Sequence, residues 1–320
     1  DYEKINIPVS EIKIYLNFFS LLKAKPKITS LDVDTAILNI DEIQKLSVKL
    51  KPSNFKSFLL NKISNGKLTS SLLVEFNDKF EISNYKFKGR VEKVNISPIK
   101  NISIKNSTFN ILADKDLIMI NSISANFQGL PIKNGNINIS RKNEVIIDGS
   151  LNIKTKKALN INKILFNLFK KDFLKNNFTF SGEFLSTFNL SFDKTFKIKD
   201  FKYNAKGLLG NSILKFTSKK TFLKNDITQI YIDKTKLEFN INKEYKNSFK
   251  AEGVYKIKKS DKNEKFKIEN KFEEKKSIFN LDLNINQGFF LDLINYNKPK
   301  NTQANIISEF IIFKDKIDFK

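Results

Sequence analysis

Histidine and cysteine, the side chains most often used as base, nucleophile or zinc ligand near neutral pH, are both absent from this 320-residue chain. Their absence excludes a Ser-His-Asp triad, a thiolate nucleophile, a disulfide and an ordinary zinc centre. The glycine loops that cradle phosphates, GxGxxG and GxxxxGK, are missing as well. The 34 carboxylates could in principle work in pairs as acid and base. They are scattered among 57 basic residues on the polar sides of the expected strands, which is the pattern of a solvated surface. No pair stands out, so the sequence predicts no enzyme, no metal and no cofactor. The side chain present in quantity is phenylalanine, 31 of them. Together with Ile, Leu and Val it recurs at every second position, and that spacing builds a dry face. The chemistry on offer is burial of hydrocarbon, worth about 0.8 kcal/mol per methylene.

Strands must position those side chains, and one stretch of them recurs. Residues 66–89 (GKLTSSLLVEFNDKFEISNYKFKG) align without a gap to 182–205 (GEFLSTFNLSFDKTFKIKDFKYNA), 116 residues later. Gly66/Gly182, Ser70/Ser186, Phe76/Phe192, Phe80/Phe196, Ile82/Ile198 and Lys86/Lys202 are identical, and apolar pairs fill most of the rest. A third copy is expected to open at 313–319. Units that recur in this way bury their apolar faces against their neighbours. Within a copy, Leu68, Leu72, Val74 and Phe76 share one face and Lys67, Thr69, Ser71 and Glu75 the other, with period two. Asn77-Asp78-Lys79 reads as a turn. The apolar phase then slips from Phe80 and Ile82 to Tyr85 and Phe87, which places a β-bulge near Ser83-Asn84 and an equivalent one near Lys199-Asp200.

Taken in order, residues 11–17, 27–33, 36–40 and 45–50 read as strands, with a short apolar turn over 18–22. Ser53 opens a helix over 53–63 carrying Phe55, Phe58, Leu59 and Ile63 at helical spacing. Strands fill 91–153, with Leu117, Met119, Ile123, Ala125 and Phe127 on one face. A second helix is expected over 159–174, its apolar stripe starting at Ile161, and a third over 289–296. The last third alternates most cleanly: Phe249, Ala251, Gly253, Tyr255 and Ile257, then Phe266, Ile268 and Phe272, then Phe279, Leu281, Leu283 and Ile285. The expected fold is mainly β, an elongated and twisted antiparallel sheet curled into a taco-like groove. Its repeats combine a short helix with several strands. The expected divisions are 1–51, 52–160 (first repeat), 161–287 (second) and 288–320 (a truncated third).

The formal net charge is +23, almost all of it lysine, since arginine occurs only at Arg90 and Arg141. Abundant Lys, Asn, Ile and Phe with scarce Ala, Gly and Pro is what an AT-rich genome writes. Lysines then serve first as a solvated face and edge protection, and second as attraction for lipid headgroups. Nucleic acid is disfavoured, because the aromatics lie on the dry face and not among the lysines. No apolar run of about 18 residues could span a bilayer as a helix. An outer-membrane barrel fits poorly with the charge, the absence of Trp and the intervening helices. The alternation nominates Leu72, Val74, Phe76, Phe80, Ile82, Phe127, Phe188, Leu190, Phe192, Phe196, Ile198, Phe279, Leu281, Leu283 and Ile285 as lining an apolar groove. The same residues would equally serve a self-packed, structural or adhesive β-repeat with no ligand.

The opening EIKIYLNFFSLLKAKPKITSLDVDTAILNI resembles the first strand, apolar turn and following strands of the AsmA-like family, the bridge-like lipid transfer proteins of YhdP and TamB type. The segment KPSNFKSFLLNKISNGKLTSSLLVEF resembles that family's recurring short helix, glycine and strands, with Phe58 standing where many members carry Trp. The resemblance covers 11–206 loosely and the remainder by strand pattern. It implies an inner-membrane anchor outside this chain, a periplasmic body, a taco-shaped sheet, and phospholipid acyl chains as cargo moving between the membranes of a Gram-negative bacterium. It brings no catalytic residues.

Overall fold

In the computed structural model, residues 8–48, 51–98, 102–141, 144–162, 177–193, 197–222, 225–244, 247–258, 261–273, 276–291, 295–313 and 317–319 are described. The chain is mainly β and antiparallel, as expected. It divides into two compact units, residues 1–151 with 190–199, and residues 152–189 with 200–320.

The first unit begins with β1 (Val9–Leu16), a single helical turn α1 (Phe18–Leu22) and β2 (Ile28–Thr35). β3 (Leu38–Asn39), α2 (Ile40–Val48), α3 (Asn54–Lys62) and β4 (Ile63–Ser64) follow. The meander is then β5 (Lys67–Phe76), β6 (Ile82–Ile96), β7 (Ile104–Ala113), β8 (Leu117–Phe127), β9 (Leu130–Ser140) and β10 (Val145–Asn160). Ladders run β1 to β2, β2 to β5, and then strand by strand from β5 to β9.

The α3 helix forms where expected. Ser53 caps it, its hydroxyl accepting from the Lys56 N–H at 3.1 Å. Of the strand expected over 45–50, residues 45–48 are instead the second half of α2, and 49–50 lie outside the described residues. Glu42 reaches back to accept from the Asn39 backbone N–H at 2.6 Å and from the Asn39 side-chain amide at 3.1 Å. This is the return half of a capping box, and Asp41 and Glu42 add favourable charge in the first turn. Gln44 then fixes α2 to the end of α3, donating to the carbonyls of Leu59 and Ile63 at 2.9 Å each.

The bulge expected near Ser83 is present. Glu75 pairs with Asn84 and Phe76 with Ile82, so Ser83 is the extra residue. A larger irregularity crosses the meander. Lys93 in β6, Asn106 in β7, Ser122 in β8 and Asn134 in β9 all have φ between 52° and 60°. Each is the extra residue of a register shift with a neighbouring strand. The N–H of Lys93 donates to Thr108 Oγ1, that of Asn106 to Asn95 Oδ1 and that of Ser122 to Asn136 Oδ1, at 3.0–3.3 Å. Left-handed Lys and Ser cost energy, and these cross-strand bonds offset it. Because each of the four strands gains one residue, the ladder stays in step while every strand bends. Ser122 also reverses the phase of β8. Ile118 and Ile120 pair with Ala113 and Ile111, on the face of Phe87 and Gly89. The dry face of β8 is therefore Ile118, Ile120, Ile123, Ala125 and Phe127, and Leu117 and Met119 belong to the other side.

The core of this unit sits at that bend. Ile40, Val91 and Val94 are buried together, packed by Ile43, Ile63, Leu68, Ile96, Phe109 and Ile111. Gly66 is required there. Its φ is +89°, and a Cβ would lie 2.8 Å from the Glu92 carbonyl oxygen.

The second unit is built on β11 (Asn177–Phe192), β12 (Ile198–Leu209), β13 (Ser212–Phe222), β14 (Asn225–Asn242), β15 (Asn247–Lys256), β16 (Glu264–Glu273) and β17 (Lys276–Ile285). A short hairpin of β18 (Phe289–Leu291) and β19 (Tyr296–Lys298) follows, then β20 (Ala304–Phe313) and β21 (Ile317–Phe319). β12 and β13 lie end to end along β14, and from β14 the ladder passes through β15, β16, β17 and β20 to β21. One left-handed residue, Lys234 (φ 47°), makes a bulge in β14 against β15. It turns Thr235 inward over Gly253, where any Cβ would stand 2.0 Å from the Thr235 hydroxyl. Of the helix expected over 289–296, residues 289–291 and 296 belong instead to the paired strands β18 and β19, Asn295 is left-handed, and 292–294 lie outside the described residues. Of the helix expected over 159–174, residues 159–160 end β10 and 161–162 are helical. The rest lies outside the described residues.

Candidate functional site

Strand alternation and register place one continuous apolar rank after another on the dry face of the second unit. Leu214 pairs with Ile230, Ile232 with Tyr255, Gly253 with Phe266, Phe266 with Leu283, and Ile268 with Leu281. All of these but Gly253 line a cavity of about 260 Å³, open on one side, whose wall is completed by Ile227, Ile257, Ile285, Gln287 and Gly288. Most of its lining residues are only half-buried, so the face is partly wet as it stands.

One end of the cavity is polar and fixed. The Tyr255 hydroxyl lies 2.9 Å from the Asn284 carbonyl and 3.1 Å from a carboxylate oxygen of the buried Glu264. Burial, and then the neighbouring Glu264, push the Tyr255 phenol far above its usual range, so it remains a neutral donor. Behind it the 286–302 segment closes on a buried ammonium. Lys298 Nζ donates to the Gln287 carbonyl at 2.9 Å, the Pro299 carbonyl at 3.3 Å and the Thr302 carbonyl. Asn301 N–H donates to Asn286 O at 3.0 Å, tying the segment to the end of β17.

Beyond the cavity the same face continues in rings. Phe279 stacks on Phe310 with centroids 5.0 Å apart and meets Phe272 edge-on at 6.5 Å. Asn270 is buried in this rank between Phe249 and Phe279. Its amide nitrogen donates to the Ile278 carbonyl at 3.2 Å while its oxygen has no partner, an unfavourable arrangement in an apolar setting.

The opposite face of these strands is an alternating charge ladder. Lys206, Glu238, Lys250 and Glu269 face one another in turn across β12, β14, β15 and β16. A second rank runs Lys236, Glu252, Lys267 and Asp282. Ion pairs close at 3.0 Å (Lys206–Glu238), 3.4 Å (Lys250–Glu269) and 3.2 Å (Lys267–Glu269). The hydrogen bond from Lys206 holds the Glu238 carboxyl below the usual range, and that from Lys267 does the same for Glu269. Opposite charges directly across a sheet favour this pairing and penalise a slipped one.

Of the residues nominated from sequence, Leu281, Leu283 and Ile285 line the cavity, and Phe279 stands next to them in the ring stack. Leu72, Val74 and Phe76 lie half-buried along β5 in the first unit, Leu72 between Val33 and Phe87, and Val74 between Leu31 and Tyr85. Phe127 is half-buried at the end of β8, as are Phe188, Leu190 and Phe192 on β11. Phe80 is not on a strand. It occupies the left-handed corner of the 77–81 turn, stacked on Phe76 at 4.7 Å and largely exposed. Ile82 and Ile198 are exposed at strand starts, and Phe196 lies outside the described residues. The cavity residues not nominated are chiefly Leu214, Ile227, Ile230 and Ile232. The signal for Ile230 and Ile232 is their alternation, hidden because the Lys234 bulge puts Leu237 and Phe239 out of phase with it, while Ile227 is out of phase with them across the β13–β14 register shift. Tyr255, Phe266 and Ile268 were readable as dry-face positions but not as neighbours in one cavity. Among the described residues no cluster of carboxylates could hold a metal ion, and no helix is long and apolar enough to cross a membrane.

No protein-family model, curated protein or solved structure matches this chain.

Proposed function

We propose that the chain carries phospholipid acyl chains on its dry β face, as a non-enzymatic part of lipid traffic in the periplasm between the inner and outer membranes. The observation that carries this reading is the cavity over β13–β17, a partly wet trough walled by Leu, Ile and Phe. An acyl chain laid there would remove hydrocarbon from water on both sides of the contact. The Tyr255 and Glu264 groups at its polar end bond to each other and to the Asn284 carbonyl, and the hydrocarbon wall beyond them suits an acyl chain more than a headgroup. The resemblance of residues 11–40 and 51–76 to the AsmA-like family supports the cargo and the compartment. Its anchor in the inner membrane would lie outside this chain. The helix-covered core of the first unit favours a scaffold role for that part.

Native mass spectrometry with lipid extraction tests the proposal on the gently purified chain. Co-purifying phospholipid that disappears in Leu283→Asp, with the far-UV spectrum unchanged, is the expected result. A folded, lipid-free wild-type protein that also takes up no phospholipid on incubation would contradict it and leave a self-packed structural repeat.

A further inference from the structure

The turn between β1 and β2 is inverted in polarity. In α1 (FFSLL) the polar residue, Ser20, is half-buried, while Phe18, Phe19, Leu21 and Leu22 are 67%, 71%, 47% and 70% exposed. Looseness does not account for this. Asn17 caps the turn, its side chain accepting from the Ser20 N–H at 3.1 Å, and Ser20 Oγ donates to the Asn17 carbonyl at 2.7 Å. Ser20 Oγ also accepts from the Lys27 N–H at 2.9 Å, and Asn17 N–H donates to Lys27 O at 2.8 Å. Lys23, Ala24 and Lys25 N–H groups donate back to the carbonyls of Phe19, Leu21 and Ser20. The loop thus satisfies much of its own backbone, which any segment entering hydrocarbon must do. Ile12, Ile14 and Leu16 extend the exposed apolar surface along β1.

Charge identifies the occupant. Residues 12–31 contain four lysines (Lys13, Lys23, Lys25 and Lys27) and no carboxylate. Lys13 and Lys27 pair with Glu11 and Asp78, and Lys23 and Lys25 are exposed just behind the apolar cluster. Apolar side chains at a tip with lysines one step behind match the depth profile of an anionic bilayer, hydrocarbon below and phosphate above. We propose that α1 and its flanking lysines form a bilayer-docking tip that inserts Phe18, Phe19, Leu21 and Leu22 into a membrane containing anionic lipid. The tip does not depend on lipid carriage by the second unit, and the two readings fail separately.

The chain has no tryptophan, so Phe19→Trp supplies a single reporter. With vesicles of phosphatidylglycerol and phosphatidylcholine, its emission should shift to the blue and be quenched by brominated acyl chains. Flotation of the full chain should fall about tenfold or more in Phe18→Ser/Phe19→Ser/Leu22→Ser. It should fall about tenfold in Lys23→Glu/Lys25→Glu, which should also float equally on vesicles with and without the anionic lipid. Leu283→Asp should float like the wild type even if it carries no lipid. Emission unchanged by vesicles that bind the protein, or serine variants that float like the wild type, would overturn the tip. So would a dimer in sedimentation that these serines disperse in a protein that ignores vesicles, since a second copy would then be the occupant.

Discussion

The dry face of the first unit and that of the second obey the same alternation but are covered by protein to different extents. In the first, four left-handed residues bend β6–β9, and α2 packs Ile40 and Ile43 against the bend, so that Ile40, Val91 and Val94 are buried by protein. In the second, a bulge at Lys234 in β14 and a register shift between Lys215 and Lys220 in β13 interrupt the ladder, while β15–β17 pair without a shift. A cavity stays open there between Ile230, Tyr255, Phe266 and Leu283. Period two tells which side chains leave water. It does not tell whether a helix or a ligand takes the water's place.

The largest effect that could break this contrast is in the covered region. Val94 is 1% exposed, so Val94→Asp should cost about 4 kcal/mol or more. Hydrogen exchange should place the loss in β6, α2 and α3, with the second unit protected as before. Leu283→Asp falls on a half-buried wall and should cost about 1–2 kcal/mol while removing most of the bound lipid. If its stability cost equalled that of Val94→Asp, the second face would be a closed core as well. Smaller again, Ile268→Phe should fill part of the cavity, raising the unfolding free energy of lipid-free protein by about 1 kcal/mol and reducing lipid uptake. A filled core would instead be strained by the larger ring and lose stability.

The smallest effect concerns the polar side of the second unit. Glu238 and Glu269 are held below the usual value of 4.5 by hydrogen bonds from Lys206 and Lys267. Their stabilising contribution is complete above that unfolded value and is lost as pH falls through their lowered folded values. Denaturant midpoints followed from about pH 6 to about pH 3 should show a slight acid loss in β12–β16, shallower in Glu238→Gln. Both residues are near the surface, so added salt should weaken the effect.

Much of this contrast was legible in the chain, in specific places. Ser53 and its apolar spacing announced α3, Asn77-Asp78-Lys79 the turn after β5, and the slip from Ile82 to Tyr85 the bulge at Ser83. The strands of 249–285 were readable because only one bulge, at Lys234, comes near them. The α2 helix was hidden by Ile40, Leu46 and Val48, which also suit a strand. Its signal was the Asn39-x-x-Glu42 cap. The reversed phase of β8 had no signal in composition, because Ser122 and Lys93 adopt positive φ where glycine or asparagine is the usual indicator. The hairpin at 289–298 was mistaken for a helix because Phe289, Phe290 and Leu291 fit both patterns. The cavity itself was only half legible. Leu281, Leu283 and Ile285 follow from alternation, whereas their meeting with Leu214 and Ile230 depends on which strands the sheet sets side by side.

The most direct test is photo-crosslinking of a phospholipid bearing a reactive group at mid-chain, with the adducts mapped by peptide mass spectrometry. Adducts should concentrate on β14–β17, at Ile232, Ile268, Leu281 and Leu283, and be absent from Val91, Val94 and Ile40. Adducts spread evenly over both units, or confined to the peptides of α2, α3 and β6, would contradict an open apolar trough in the second unit.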